Sequence, residues 1–456
     1  MEEFIKLLKN KNYVFKELMI SSFKIYLFYN DELCDKNSIN NFVLNRICAL
    51  SKKQLQDLKK NLPICNLEEI SMKQSFFYLD NGYVLIITNK IYACEVKKKL
   101  DRGVSVCQSE LSLMGPKDCF TESFIINLGL IKRRIKKGLM YKDYYIGRYT
   151  NTRVSIIYID NIVKSDLINH IEKCLCKIDI DGILDSSYLK SSLENNSSLF
   201  PTIMLTERPD KACMALLEGK AVIIVDTSPY VLILPSLFLD YFHTTDDYFQ
   251  KPFNTSFIRF VRFFAFFIAI FTPGIYLSVT TRDYDLIPFS LLLMLKAGRS
   301  YVPFPAPIEA LFMILCFEIL KESDIRMSTT SGSAISILGG LILGDAAVAA
   351  GIVSPIMIIV IAISSIAGLI FPSIELGNAL RTYKILILIL SSFFGIRGVI
   401  LGALFLLYNL WFTNIFGYSY FSIDKNELKD SIVKINSKIR KRNSFLSDNI
   451  IRGSFK

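Results

Sequence analysis

A long apolar stretch from Gly332 to Pro372 constrains the fold more than any other part of this sequence. It contains two apolar runs that are separated at Ser354-Pro355. Each run is long enough to cross a hydrocarbon core of roughly 30 Å as a helix. The sequence therefore predicts a membrane domain.

Small residues line one face of the first apolar run. They recur at every fourth position, at Gly332, Ser336, Gly340 and Gly344. Such a face lets two helix backbones approach closely in lipid, so we predict a helix interface here. Asp345 follows directly, and a carboxylate at membrane depth costs about 2.5–3.5 kcal/mol on insertion scales. Two interpretations of Asp345 stay open: a hydrogen-bonded acid in a packed helix, or a side chain that lines an ion path.

Composition divides the chain into a polar part and a membrane part. It has 456 residues, of which 51% are hydrophobic and 21% charged, which is too apolar for an ordinary soluble enzyme and too charged for a membrane domain alone. The net charge is +11. Because many basic residues flank the apolar segments, as on cytoplasmic faces of membrane proteins, we expect no binding to nucleic acid.

The cysteine pattern favours buried, reduced thiols. Ten cysteines occur without a CxxC pair, and the chain has two histidines, His170 and His243. We therefore expect no metal site and no cofactor. The first residues lack the apolar core of a secretory signal, so we expect the first half to fold in the cytosol.

The predicted fold class is an α/β cytosolic N-terminal region of two small subdomains, followed by an all-α polytopic membrane domain. A strand is expected at 23–29, a hairpin about Asn81-Gly82 within 76–96, a helix at 209–218, and strands at 221–225 and 230–234. The predicted domains are 1–118, 119–250 with a connecting helix, a membrane domain at 251–416, and a basic cytosolic tail at 417–456.

Four membrane spans are predicted, near 257–280, 333–353, 355–372 and 383–411, the last with a possible break at Gly395–Gly398. Short or re-entrant helices are predicted at 287–300 and 306–322. The second carries Glu309 and Glu318, which line a protein cavity or, alternatively, face water from a surface helix. Basic residues on both sides of the domain place both ends in the cytosol, which requires an even number of crossings, four or six.

A charged cluster in the second subdomain combines groups that could suggest catalysis: Glu207, Arg208, Asp210 and Lys211. It lacks a nucleophile, a histidine and metal ligands. An ion-paired helix start is the better interpretation, with Pro209 in the first turn. We therefore expect no enzymatic activity.

Several blocks resemble the GerA family of spore germination proteins, in order and at similar spacing between about 120 and 420. They are FTESFIINLGLIKRRIK, IGRYTNTRVSIIYI, FPTIMLTERPDKACMALLEGKAVIIVDTSPYVLILP, PFPAPIEALFMILCFEIL and SILGGLILGDAAVAAGIVSP. More narrowly, the chain is similar to A subunits of nutrient germinant receptors, and SpoVAF-type paralogues share the same blocks. Asp345 stands where the family usually has glutamine, and Thr227 where it usually has glycine.

The resemblance implies a place and a role. An A subunit resides in the spore inner membrane with a transporter-like B subunit and a C lipoprotein, and forms a homo-oligomeric, nutrient-gated cation channel in the lipid bilayer. The corresponding hypothesis places Asp345, Glu309 and Glu318 near the conduction path. A non-conducting scaffold is the second hypothesis. A secondary transporter is the third, although the membrane half lacks the matching repeats that many transporters display.

Overall fold

The computed structural model describes residues 4–5, 8, 13–20, 23–30, 33–50, 58–61, 67–88, 90–96, 103–107, 109–110, 112, 114–194, 198–326, 340 and 344–421. Most of the predicted span at 333–353, and the tail beyond residue 421, lie outside these residues. The chain divides into two compact units, Met1–Asp101 and Arg102–Lys456. The first unit thus ends earlier than the predicted boundary at 118.

The first unit is an antiparallel five-stranded sheet with short helices. Its elements are β1 (Val14–Ile20), β2 (Phe23–Tyr29), the helical run α1 (Lys36–Ser38, Ile39–Leu44 and Asn45–Cys48), α2 (Leu58–Asn61), β3 (Leu67–Ile70), α3 (Ser75–Asp80), β4 (Tyr83–Ile87) and β5 (Ile91–Glu95). The strand order is β1-β2-β4-β5-β3. The predicted strand at 23–29 is confirmed.

The prediction that Asn81-Gly82 forms the turn of a β-hairpin is wrong. The run before it is helix α3, and the turn is its C-terminal end, with Gly82 at φ +77°. A left-handed residue ends helices as readily as it turns hairpins, so the dipeptide fits both. The observed hairpin joins β4 to β5 through residues 88–90.

The second unit begins with a sheet of the same topology. It contains α4 (Phe124–Arg134), β6 (Leu139–Ile146), β7 (Thr152–Ile159), α5 (Ser165–Leu175), α6 (Ser186–Leu193), β8 (Met204–Thr206), α7 (Pro209–Glu218), β9 (Ala221–Val225) and β10 (Val231–Leu234). The order β6-β7-β9-β10-β8 repeats that of the first sheet, and all pairs are antiparallel. The two α/β subdomains are therefore structural repeats of one another.

The remaining elements form the helical part of the second unit. They are α8 (Asp246–Phe249), α9 (Pro252–Thr281), α10 (Phe289–Gly298), α11 (Ala306–Arg326), α12 (Pro355–Leu369), α13 (Ile374–Phe394), α14 (Ile396–Phe412) and a small hairpin, β11 (Asn414–Ile415) with β12 (Tyr418–Ser419). Residues 344–349 are also helical. Among the described helices, α9 is the one long and apolar enough to cross a membrane.

The predicted span at 383–411 is two helices. Its first helix starts earlier, at Ile374, and Gly395 separates it from α14 with φ +63°. The two helices run antiparallel, because Gly402 lies against Ile387 and the Asn409 amide donates to the Tyr383 hydroxyl at 2.8 Å. The predicted break is confirmed, and each half is a complete helix.

The α/β sheet and the helices of the second unit share one hydrophobic core. Phe238 and Phe242, after β10, pack against Phe266 of α9 with ring centroids 5.7 Å apart in each case. Phe200 stacks on Tyr383 of α13 at 5.0 Å. Helix α9 begins at this sheet, and the chain returns to it after α14. Both ends of the helical part therefore lie on the same side.

Candidate functional site

Glu309 is buried near the start of α11 and caps the following helix, α12. Its Oε1 accepts hydrogen bonds from the backbone N–H of Ser354 at 2.7 Å and from the Ser354 hydroxyl at 2.6 Å. Its Oε2 lies 3.4 Å from Nη2 of Arg299. Residue 354 is the N-cap of α12, where a carboxylate also meets the positive end of the helix dipole. Both carboxylate oxygens thus have a structural role.

Glu318 lies farther along α11 and pairs with a different cation. Its Oε2 is 2.8 Å from Nη1 of Arg381 on α13. Beside this pair is a small cavity of about 60 Å³, to whose lining Lys321 and Lys384 contribute. Lys384 is only 6% exposed. The cavity is therefore polar on one side, and cations outnumber acids in it.

Asp345 is exposed on the helical segment 344–349. An added Cβ at Gly344 or Gly340 meets no described atom within 4 Å. Gly332 and Ser336, the other two positions of the small-residue stripe, lie outside the described residues. Within the described part of one chain, the stripe leaves open space, so any close helix partner there must come from elsewhere.

The structure does not bring the three predicted ion-path acids into one cluster. Glu309 and Glu318 are on the same helix, but nine positions separate them by about 14 Å along its axis. Each has its own arginine, Arg299 and Arg381 respectively. Asp345 is exposed on a separate segment. Within a single chain they are three distinct positions.

A buried ion-pair cluster fastens the start of α9 to the α/β subdomain. Asp247 accepts from Nη1 of Arg262 at 2.7 Å, and Nε of Arg259 lies 3.5 Å from the same carboxylate oxygen. Burial alone would raise the pKa of Asp247, but Arg262, the Thr244 N–H and Arg259 together lower it below its ordinary value. Arg259 is fully buried, so its guanidinium lies inside the protein and not at the surface of α9.

A second ion pair fastens α13 to the same subdomain. Lys190 of α6 pairs with Glu375, in the first turn of α13. Nearby, the Ser198 and Thr413 hydroxyls are hydrogen-bonded at 3.0 Å, and the Phe238 N–H donates to the Tyr420 carbonyl at 3.2 Å. Three helices are therefore tied to one sheet: α9, α13 and α14.

The charged cluster at the start of α7 forms three ion pairs, two through Arg208 and one through Lys211. Arg208 donates to Asp210 at 2.7 Å and to Asp246 at 3.3 Å. Lys211 pairs with Glu110 at 2.7 Å. The Glu207 side chain faces Cys119 and takes no part in these ion pairs: the Cys119 thiol donates to its Oε2 at 3.6 Å. The arginine and lysine thus hold the start of α8 and the segment around Glu110 against the start of α7.

Sequence comparison decides the family. A model described as the Bacillus/Clostridium GerA spore germination protein matches residues 2–445. The chain belongs to the GerA family. The resemblance predicted from the sequence blocks is confirmed, and the match extends into the first unit, where those blocks were absent.

Relatives within the GerA family align over most of their length. Spore germination protein GerQA of Bacillus cereus is 33% identical over 95% of this chain and 90% of its own. Spore germination protein KA of Bacillus subtilis is 34% identical over 90% and 78%. The solved N-terminal domain of the A subunit of the Bacillus megaterium germinant receptor GerK3 is 27% identical, over 52% of this chain and 93% of that one, with a TM-score of 0.23.

The sequence of this GerA-family chain did not reveal the roles of some residues that the structure shows in contacts. Asp247 and Lys384 had no assigned role, although the acidic pair Asp246-Asp247 shortly before Arg259 and Arg262 was a usable signal. Glu309 and Ser354 are 45 positions apart, so their contact depends on tertiary packing. Spacing alone could not predict it.

Proposed function

We propose that this chain is the A subunit of a spore nutrient germinant receptor and forms, as a homo-oligomer, a nutrient-gated cation channel. A transporter-like B subunit and a C lipoprotein are its proposed partners, in the lipid bilayer of the spore inner membrane. The relatives named as spore germination proteins support the role in germination. The channel and its partners are our proposal.

The exposure of Asp345 is the observation that carries the channel proposal. It lies next to Gly344, and added Cβ atoms at Gly344 and Gly340 meet no described atom of the same chain within 4 Å. In a ring, copies of this segment would approach through their glycines and place one carboxylate per subunit at a shared axis. A ring of carboxylates favours cations. Glu309, with its arginine and its N-cap contacts, would support this segment rather than bind ions.

The exposed apolar surface supports a multi-pass membrane location. On α9 an aromatic stripe recurs at helical spacing and faces away from the core: Phe253, Phe257, Phe260, Phe264 and Phe267. Large exposed apolar surfaces mark membrane or protein contacts. Because the helical part begins and ends at the same sheet, an even number of crossings would leave both chain ends on the cytosolic side.

The ion pairs of the described acids favour one alternative, a non-conducting scaffold that clusters germination proteins. Glu309 and Glu318 both have arginine partners and would then be purely structural. A SpoVAF-like paralogue is a related alternative. In either case we propose a non-enzymatic role, because the charged groups at 208–211 are occupied in ion pairs.

Nutrient-triggered release of monovalent cations from spores tests the channel. The gene is deleted and then restored as wild type, Asp345→Ala or Asp345→Glu, and the amount of protein in the membrane is measured for each. We expect release to depend on the gene, to slow severalfold with Asp345→Ala, and to recover with Asp345→Glu. Unchanged release by a normally accumulated Asp345→Ala protein would favour the scaffold.

Assembly is tested with Gly340→Leu. We expect this variant to lose oligomers, detected by crosslinking in membranes, because a leucine prevents close helix contact. The matched control is Gly129→Leu on α4, where an added Cβ also meets no atom within 4 Å but no interface is proposed. Normal oligomers from Gly340→Leu would contradict the proposed interface.

A further inference from the structure

Three side chains of the kind that bind metals meet inside the second α/β subdomain and have no part in the proposed function. They are Cys107, Cys119 and Glu207, all buried. One ligand atom from each lies within 4.8 Å of the other two. Glu207 follows Cys119 by 88 positions, which is why the sequence predicted no metal site.

Main-chain hydrogen bonds bring these residues together. Val106 and Asp118 form an antiparallel bridge, and each directly precedes one of the cysteines. The Phe120 N–H then donates to the Glu207 carbonyl at 2.8 Å, which joins the second cysteine segment to the end of β8. The Cys107 thiol adds weak contacts to the Asp118 and Glu207 carbonyls, at 3.7 and 3.8 Å, so it lies at the junction of the three segments.

The separations fit tetrahedral zinc coordination. With Zn–S near 2.3 Å and Zn–O near 2.0 Å, a sulfur and an oxygen ligand lie about 3.5 Å apart, and two sulfurs about 3.8 Å apart. Cys119 Sγ is 3.6 Å from Oε2 of Glu207. The remaining separations are at most 4.8 Å, so movements of about 1 Å would bring these ligand atoms to coordination distance.

The charge balance also suits a cation. A buried carboxylate is costly unless a positive group or hydrogen bonds compensate it. The Cys119 thiol and the Tyr230 hydroxyl form hydrogen bonds with the Glu207 side chain, but the nearest cation in sequence, Arg208, is directed to Asp210 and Asp246. A divalent metal would compensate the Glu207 carboxylate together with two thiolates, and two cysteines with one carboxylate suit zinc, which accepts both sulfur and oxygen ligands.

We propose that Cys107, Cys119 and Glu207 bind one Zn²⁺ ion, with water in the fourth position. Binding releases one proton from each thiol, because the thiolate is the ligand. The ion would fasten the segments around Cys107 and Cys119 to the start of α7. This site stands independently of ion conduction, so it holds for a channel or a scaffold.

Zinc content of the full-length chain in detergent tests the site. After equilibration with Zn²⁺ and dialysis against a weak chelator, we expect about one ion per chain by elemental analysis. Cys107→Ser and Cys119→Ser should each lower this at least tenfold. Cys213→Ser, which removes another buried thiol of the same subdomain, should leave it unchanged. Wild-type protein without zinc, or equal loss with Cys213→Ser, would overturn the proposal.

Cobalt substitution gives a second test that needs no variant. Co²⁺ bound to wild-type protein should show a thiolate-to-metal charge-transfer band for two sulfurs and the intense visible bands of tetrahedral coordination. A weak octahedral spectrum without charge transfer contradicts the site. So does a Cys107–Cys119 disulfide found by mass spectrometry after anaerobic, reducing purification, because it would consume both ligands.

Discussion

Oδ2 of Asp283 accepts a hydrogen bond from the backbone N–H of Ile396 at 2.7 Å. The same oxygen accepts from the Ser278 hydroxyl at 2.7 Å. One carboxylate thus joins the end of α9 to the first turn of α14, on the side of the helical part opposite the sheet. Because first-turn N–H groups have no partner within their own helix, this contact satisfies a donor that would otherwise be left without one.

We expect Asp283→Ala to destabilise the helical part by about 1–2 kcal/mol, the usual cost of losing such a cap. Thermal unfolding of the full chain in detergent, followed by circular dichroism, measures the effect. The control is Asp285→Ala, which removes an exposed carboxylate two residues later. Equal midpoints for the Asp283 and Asp285 variants would show that the bond contributes nothing.

Asp247→Asn should destabilise the junction between sheet and helices by about 3–5 kcal/mol at neutral pH, because it removes the buried negative charge that Arg259 and Arg262 face. The pKa of Asp247 is lowered in the folded protein, below the ordinary 3.8. Its charge therefore stabilises the fold above that ordinary value, and the contribution is lost as the pH falls from there through the lower folded pKa.

Denaturant unfolding of wild type and Asp247→Asn at several pH values measures this dependence. The difference in unfolding free energy between wild type and Asp247→Asn should be largest near neutral pH and should decrease below about pH 4. Asp166→Asn, at an exposed position in α5, should change the unfolding free energy by less than about 0.5 kcal/mol. A difference that stays constant with acidity would rule out the charge as its origin.

Gly398→Ala should destabilise the α13–α14 hairpin by about 1–3 kcal/mol or more through overpacking. An added Cβ at Gly398 would collide with the Leu390 carbonyl on the facing helix. The matched change is Gly129→Ala on α4, which meets no atom within 4 Å and should be neutral or stabilising by up to about 1 kcal/mol. Midpoints of chemical unfolding compare the two, and a harmless Gly398→Ala would refute the tight approach.

Glu309→Ala should cost about 1–3 kcal/mol, because the Ser354 N–H and hydroxyl lose their buried acceptor. Glu309→Gln keeps an oxygen acceptor and should lose much less. The amount of folded protein extracted from membranes, with its unfolding midpoint, separates the variants. An equal loss of stability in Glu309→Ala and Glu309→Gln would mean that the ion pair with Arg299, rather than the cap, is the source of the stabilisation.

Local signals in the sequence predicted parts of the fold well. Helix α7 has Pro209 in its first turn and the left-handed Gly219 as its C-cap, with a φ of 97°. Strands β9 and β10 are short apolar runs joined by a turn, and both are confirmed. These elements depend on neighbours in sequence, which is why pattern and structure agree.

Elements stabilised by distant contacts were harder to predict. The first turns of α13 carry polar side chains and look unlike a membrane span, but Lys190 pairs with Glu375 there. The role of Glu309 in the candidate site was hard to predict for the same reason. Glu309 was selected as an isolated acid, whereas its role depends on Ser354, 45 positions away. Topology, rather than spacing, decides which of these residues meet.

The return of the chain to the sheet after α14 has a mechanical consequence. Helix α9 begins at the second sheet and α14 ends there, and one hydrophobic core that includes packed aromatic rings joins both helices to it. A rotation of the sheet would therefore turn α9 and α14 together, as one rigid unit. Within the described residues, no hydrogen bond or ion pair joins the segment carrying Asp345 to the sheet, so the sheet and its two attached helices would move relative to that segment.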